Sequence, residues 1–142
     1  MIFSSLDSLS IPIVIPAHPR LQKKIEEFGI KFDEKFIELT SPFDHKEMIN
    51  KLINSKCVIT DSGGLQKEAF MLKKLCITIR NETEWPETLE HGWNILNPGL
   101  LGLKEQLFRD VPTIQGVYFG DGNASKKIID SIINYWKSNL HN

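Results

Sequence analysis

The chain has 142 residues, 41 % of them apolar, which suits one domain of ordinary size with a core of its own. Its 17 basic residues stand against 18 acidic ones, a net charge of −1, so no basic excess points to nucleic acid and no polybasic run to a membrane. The apolar run from Ile11 to Ala17 holds two prolines and is far too short to span a bilayer, and Met1-Ile2-Phe3-Ser4 lacks the marks of a secretory signal.

In chain order, Ile2, Phe3, Leu6 and Leu9 lie near one face and read as the tail of a helix. The abrupt start gives the expectation of a longer chain upstream. Ile11-Pro12-Ile13-Val14-Ile15 reads as a short buried strand, with Pro12 tolerable only near its start. The stiff loop Pro16-Ala17-His18-Pro19 follows, then a helix with Leu21, Ile25 and Phe28 inward, stopped by Gly29. Phe36 to Leu39 is the next strand. Asp44 with Glu47 three residues on resembles a capping box, opening a helix with Met48, Ile49, Leu52 and Ile53 on one face. Cys57 to Thr60 is apolar on both faces, as in a parallel sheet covered on both sides.

The turn Asp61-Ser62-Gly63-Gly64 opens a helix with Leu65, Ala69 and Leu72 inward and Glu68 on that same face. Leu75 to Ile79 is a strand that ends in Arg80. A polar loop, 81–87, enters a short helix with Pro86 in its first turn and Gly92 at its close. Trp93 to Asn97 is the last strand. A helix follows from Leu100 to Arg109, with Leu100, Leu103, Leu107 and Phe108 as its inward candidates, then an irregular connection, 111–122. A long helix runs to about Lys137 with Ile128, Ile129, Ile132, Ile133 and Trp136 as its apolar positions. About five strands alternating with six or seven helices mark a doubly wound α/β layer. Cys57 and Cys76 fall in predicted strands and read as small buried residues in a reducing cytoplasm, without a disulfide framework.

In open α/β sheets ligands sit outside the carboxyl ends of the strands. His18, Ser62 with Gly63 and Gly64, Arg80, Glu84 with Glu87, and the loop 42–45 all fall there. The Ser62-Gly63-Gly64 turn is either a tight strand-to-helix connection or a phosphate cradle made of helix N-terminal N–H groups. It is no Walker loop, dinucleotide fingerprint or nucleophile elbow, since the required lysine and flanking glycines are missing. Glu68 either pairs with Lys67 or Lys73 at the surface or, inward, takes a hydroxyl or amine such as a ribose diol supplies. Arg80 is either a rim salt bridge with Glu82 or Glu84 or a bidentate partner for a diphosphate. His18, between two prolines, is either a loop histidine with a backbone partner or a rigid site residue. His91 and His141 are expected to have surface roles only. No spacing of His, Cys, Asp or Glu resembles a metal site.

His18-Pro19-Arg20, Thr60-Asp61-Ser62-Gly63-Gly64-Leu65-Gln66-Lys67-Glu68-Ala69, Arg80-Asn81-Glu82-Thr83-Glu84-Trp85-Pro86-Glu87 and Phe119-Gly120-Asp121-Gly122 occur in this order. The set resembles the C-terminal domain of the non-hydrolysing UDP-N-acetylglucosamine 2-epimerases, across nearly the whole chain. The resemblance implies an α/β, Rossmann-like three-layer parallel sheet, the C-terminal half of a GT-B two-domain fold, with residues 1–142 as one UDP-binding domain. It implies that Ser62, Gly63 and Gly64 hold the UDP diphosphate, that Glu68 takes the ribose hydroxyls and that Phe43 and the loop 42–48 flank the uracil. His18, Arg80 and Glu84 are implied at the catalytic cleft, with Glu87 lining it. The family reaction inverts C2 of a UDP-amino sugar by elimination and re-addition of UDP, and its acid–base carboxylates lie largely in the N-terminal half. That half and the UDP-amino sugar are therefore the implied partners, with a homodimer as the family's common assembly. No cofactor and no metal are expected, and the implied compartment is the cytoplasm. The alternatives are a non-catalytic nucleotide-binding module and the donor half of a UDP-sugar transferase or hydrolase. One departure stands out: Trp85 replaces the arginine of the common Thr-Glu-Arg-Pro-Glu pattern, and Trp85 together with Gly92-Trp93-Asn94 resembles a subgroup acting on modified sugars, such as the UDP-2,3-diacetamido-glucuronate 2-epimerases.

Overall fold

The computed structural model describes residues 2–139. The elements are α1 (Ile2–Asp7), β1 (Ile13–Pro16), α2 (Pro19–Glu27), β2 (Ile37–Thr40), α3 (His45–Asn54), β3 (Cys57–Thr60), α4 (Gly63–Met71), β4 (Leu75–Thr78), a 3-10 segment (Pro86–Gly92), β5 (Asn94–Leu96), α5 (Leu103–Leu107) and α6 (Ala124–Asn139). Every ladder is parallel. β4 lies between β3 and β5, with Thr60 opposite Thr78 and Thr78 opposite Leu96. β1 pairs with β2 from Ile13–Ile37 to Pro16–Thr40. Parallel neighbours need crossovers, and helices or the 3-10 segment supply them. This α/β, Rossmann-like architecture is the expected one.

The hydrogen-bonded ladders form two groups, where one continuous sheet was expected. β1 is only four residues long, follows Pro12 and ends in Pro16, and neither proline has an N–H to donate. Packing joins what the ladders leave apart. Ile37 of β2 and Ile77 of β4 share a buried cluster with Leu6, Leu9, Leu100, Leu103 and Leu107, and Ile13, Ile15 and Ile59 pack against it. The period-2 alternation of β3 and β4 sends Val58 and Cys76 to a second cluster, with Leu52 of α3 and Ala69 of α4. Both faces of the β3–β4 layer are therefore covered, as their unbroken apolar runs require.

Local signals explain most element ends. Asp44 caps α3: its carboxylate accepts from Glu47 N at 2.8 Å, and the Glu47 carboxylate accepts from Asp44 N at 3.3 Å, completing the capping box. The expected helix 100–109 shrinks to α5, because Leu100 (φ 54°) and Gly102 (φ 58°) are left-handed. Three expected inward residues are exposed. Phe28 lies past the end of α2 and packs under Lys24, Ile53 sits a third of a turn from buried Leu52, and Phe108 packs under Lys56. His141 lies outside the described residues.

Burial pushes the Cys57 thiol up to about 11 and the Cys76 thiol up to about 12, so both are protonated at neutral pH. Arg109 reaches beneath the sheet. Its guanidinium donates to the carbonyls of Cys76 (3.1 Å), Gly92 (3.1 Å) and Trp93 (3.2 Å), and to Gln106 O (2.5 Å). Among the described residues no helix is long and apolar enough to cross a membrane.

α6 stands apart from this packing. None of its residues is buried, and Ile128, Ile129, Ile132, Ile133 and Trp136 are all exposed. Exposed residues and an exposed ion pair such as Lys127 with Asp121, at 3.0 Å, contribute little to stability, so ending the chain at Asn123 is expected to move the thermal midpoint by no more than about 3 °C. Calorimetry of the two chains checks this, and the shortened chain is expected to bind less of a hydrophobic dye.

Candidate functional site

β3 ends buried at Thr60, and α4 begins three residues later. Thr60 Oγ1 accepts from Ser62 N at 3.0 Å and fixes the turn between them. Ser62 is the N-cap of α4, but its hydroxyl accepts from Leu65 N only at 3.5 Å, a loose contact. The first N–H groups of the helix have no intrahelical acceptor, and the helix dipole places positive charge on them. A Cβ on Gly63 would stand 3.1 Å from Trp85 Nε1 and 3.2 Å from Glu84 Oε2, a tight fit, so a side chain there would have to push the Trp85 and Glu84 side chains back by a few tenths of an ångström.

Beside the turn is a concavity of about 380 Å³, lined by Phe43, Asp44, His45, Met48, Ser62, Gly64, Leu65 and Glu68. It forms where the N-termini of α3 and α4 meet. Glu68 turns into it, half-buried, with its carboxylate 3.8 Å from His45 Nδ1. Phe43 sits at its edge with Lys51 Nζ 5.3 Å from the ring centroid. On the other side of the turn Arg80 Nη1 lies 2.8 Å from Glu84 Oε1 and donates to Oε2 at 3.0 Å. A hydrogen bond from its own backbone N–H, and then Arg80, hold the Glu84 carboxyl below its ordinary range.

Phe43, Ser62, Gly64 and Glu68 thus meet in one groove, with Gly63, Arg80 and Glu84 on the adjoining side of the turn. His18 follows β1 as the N-cap of α2, exposed, and its Nδ1 accepts from Arg20 N at 3.3 Å. Among the described residues no hydrogen bond or ion pair links it to Arg80 or to the turn. Glu87 carries a buried carboxylate oxygen, Oε2, without a hydrogen-bond partner. Among the described residues no group of three or more His, Cys, Asp or Glu side chains is arranged to hold a metal.

A cluster of buried polar side chains behind the turn was not foreseen: Gln66, Thr78, Thr88 and Asn94 are almost wholly enclosed. The available signal was spacing, since Gln66, Ala69 and Phe70 stand at i, i+3, i+4 on α4 and all three are buried. α4 is buried on two sides. Leu65 and Leu72 pack on the sheet cluster, while Phe70 packs against Trp93, Tyr118 and Phe119.

The family model for UDP-N-acetylglucosamine 2-epimerase matches residues 1–133. The chain belongs to this family. It corresponds to the family's C-terminal domain, on the Rossmann-like fold of GT-B epimerases. A UDP-N-acetylglucosamine 2-epimerase homolog of Methanococcus maripaludis is 38 % identical over 133 residues, which is 86 % of this chain and 36 % of the relative. The UDP-2,3-diacetamido-2,3-dideoxy-D-glucuronate 2-epimerase of Pseudomonas aeruginosa is 39 % identical over 123 residues, 84 % of this chain and 34 % of that one. Among solved structures, the UDP-GlcNAc 2-epimerase of Methanocaldococcus jannaschii in complex with UDP-GlcNAc and UDP superposes with a TM-score of 0.77 at 32 % identity, over 94 % of this chain and 38 % of that one. This epimerase-family chain therefore spans little more than a third of the length of these relatives.

The Arg80–Glu84 contact in this epimerase domain is directly measurable. Because the Glu84 pKa is lowered in the folded state, the contact holds at neutral pH and is lost as the pH falls through that lowered value. A carboxyl-carbon NMR titration is expected to place the Glu84 midpoint below the ordinary 4.5. In Arg80→Ala the midpoint is expected to move up towards that value.

Proposed function

We propose that this chain is the UDP-binding half of a UDP-N-acetylglucosamine 2-epimerase, which inverts C2 of a UDP-amino sugar. The observation that carries the reading is the meeting of an open helix N-terminus at Ser62-Gly63-Gly64 with the groove that holds Phe43 and Glu68. A phosphate accepts hydrogen bonds from such N–H groups. Arg80 supplies a planar fork for the second phosphate once it exchanges Glu84 for the ligand. Glu68, half in the groove, accepts from the ribose hydroxyls, and Phe43 flanks the uracil. His18 and Arg80 face the diphosphate–sugar linkage, and Glu84 and Glu87 line the cleft.

In the proposed reaction a proton leaves C2 and the bond from C1 to the diphosphate oxygen breaks, giving a 2-acetamidoglucal and UDP. Re-addition of UDP, with the proton returning to the opposite face of C2, completes the inversion. A leaving diphosphate needs its developing charge held by fixed donors, and that is the work assigned to this half. The proton transfers need a positioned acid and base, which the proposal assigns to the remainder of the enzyme. That remainder and a second copy in a homodimer are the proposed protein partners, and the proposed compartment is the cytoplasm. Relatives named for UDP-N-acetylglucosamine and for a diacetamido-glucuronate are 38 % and 39 % identical to this chain, so the proposal covers the class of UDP-amino sugars and not one member of it.

Three outcomes are expected. In a thermal-shift titration UDP and UDP-N-acetylglucosamine raise the midpoint and GDP-mannose does not, because a ligand that binds only the native state stabilises it by mass action. Glu68→Ala is expected to remove most of the UDP shift, and an equal response to all three nucleotides, or to none, would overturn the uridine reading. The isolated 142-residue chain is expected to produce no C2-epimerised sugar nucleotide, as judged by proton NMR of the anomeric signals after long incubation.

A further inference from the structure

Gln66 has no solvent exposure, although it is a polar residue on the second turn of α4. Its Oε1 accepts from Thr83 Oγ1 at 2.6 Å and from Asn94 Nδ2 at 3.3 Å. Asn94 Nδ2 also donates to Thr88 Oγ1 at 3.0 Å, and Asn94 Oδ1 accepts from Thr78 Oγ1 at 2.8 Å. The two threonines of the loop then grip the residue between them. Thr83 Oγ1 accepts from Trp85 N at 3.0 Å, and Thr88 Oγ1 donates to Trp85 O at 2.7 Å. Both backbone groups of Trp85 are thereby tied to the network.

This network is not a low-cost way to fill space. Gln66 Nε2 is buried without a hydrogen-bond partner, and an unmade hydrogen bond on a buried amide is destabilising. Leucine or methionine would occupy the same volume without that penalty. What neither can supply is an acceptor for Thr83. The segment that Thr83 leads is the one that lies against the turn, with Trp85 Nε1 and Glu84 Oε2 at 3.1 and 3.2 Å from the Cβ position of Gly63.

We propose that Gln66 is a positioning residue: through Thr83 it holds Trp85 and Glu84 against the Ser62-Gly63-Gly64 turn and so sets the shape of the site where the ligand's phosphates meet the sugar. The inference rests on the reading of that turn as the diphosphate site. Gln66 touches no ligand in this account. It acts through the loop, and the loop geometry is what the ligand meets.

Thr83→Val removes the hydroxyl and keeps the shape of the side chain, Thr83→Ser restores the hydroxyl, and Gln66→Met removes the acceptor from the other end. The 142-residue chain is labelled with 5-fluorotryptophan, and the Trp85 signal is assigned by its loss in Trp85→Phe. In Thr83→Val and Gln66→Met the Trp85 fluorine signal is expected to move towards that of a solvent-exposed indole while the Trp93 signal stays in place. UDP binding, read by titration well below the thermal midpoint, is expected to weaken roughly five-fold or more, the scale of one lost hydrogen bond. Thr83→Ser is expected to restore both. A lowered thermal midpoint with the Trp85 signal and the UDP affinity both unchanged would mean that Gln66 only fills space, and the proposal fails. If the unsubstituted chain does not bind UDP, the diphosphate reading fails, and the Trp85 signal alone decides the tether: its movement supports the tether, and its constancy overturns it.

Discussion

The structure turns on how little chain separates β3 from α4. Two residues, Asp61 and Ser62, carry the backbone from a buried strand end to a helix start. The Thr60 hydroxyl holds Ser62 N and leaves no slack. The helix N-terminus is thereby fixed at the sheet's carboxyl edge with its first donors facing outwards. Everything else at the site is placed relative to that point. α3 brings its own capped N-terminus alongside and closes the groove. The chain after β4 returns across the opposite side with Arg80 and Glu84. The glycine at position 63 leaves room for the Trp85 and Glu84 side chains to lie close against the turn.

Much of this was legible in the sequence, because it depends on neighbours along the chain. Leu75 to Ile79 reads as a strand, and Leu75–Thr78 form one with all four residues buried. Asp44 and Glu47 announce a capping box and make one. The carboxyl-edge rule drew the loop 42–45 and the Ser62-Gly63-Gly64 turn into one region, and the fold joins Phe43, Ser62 and Gly64 in one groove with Glu68. What was not legible depends on partners remote in sequence. No place for Gln66 was foreseen, because its partners Thr83 and Asn94 lie 17 and 28 positions away. Ile53 and Phe28 satisfy a helical period but lie beyond the reach of the layer that the period implies. The split between the β1–β2 and β3–β4–β5 ladders depends on how two prolines leave a strand edge short of donors. The expected inward residues Leu65, Ala69 and Leu72 of α4 do pack on the sheet, but the helix packs on a second side as well, and the stripe left out Gln66 and Phe70.

Position 85 illustrates how a substitution is absorbed. An arginine there, as in the common family pattern, would bring a cation to the turn. Tryptophan brings an indole N–H and a flat apolar ring. The positive charge is not lost from the region, because Lys67 Nζ lies 4.1 Å from the Trp85 ring centroid and 5.3 Å from that of Phe119. A cation over an aromatic face is attracted by the ring's quadrupole, so the ring both holds the lysine and shapes the wall beside it. Phe119 in turn meets Trp85 and Phe70 edge to face. The change exchanges one flexible guanidinium for a packed arrangement of three rings and an ammonium.

Arg109 has a consequence that reaches beyond packing. Its donors are committed to backbone carbonyls below the sheet, at the end opposite the turn, so one of the 17 cations adds nothing to the face that an anion approaches. With a net charge of −1 the chain's summed charge offers no net pull on an anion. Under the proposed diphosphate reading, discrimination between anions therefore falls to the few oriented donors within hydrogen-bond reach of the turn, and is written in how long each one stays.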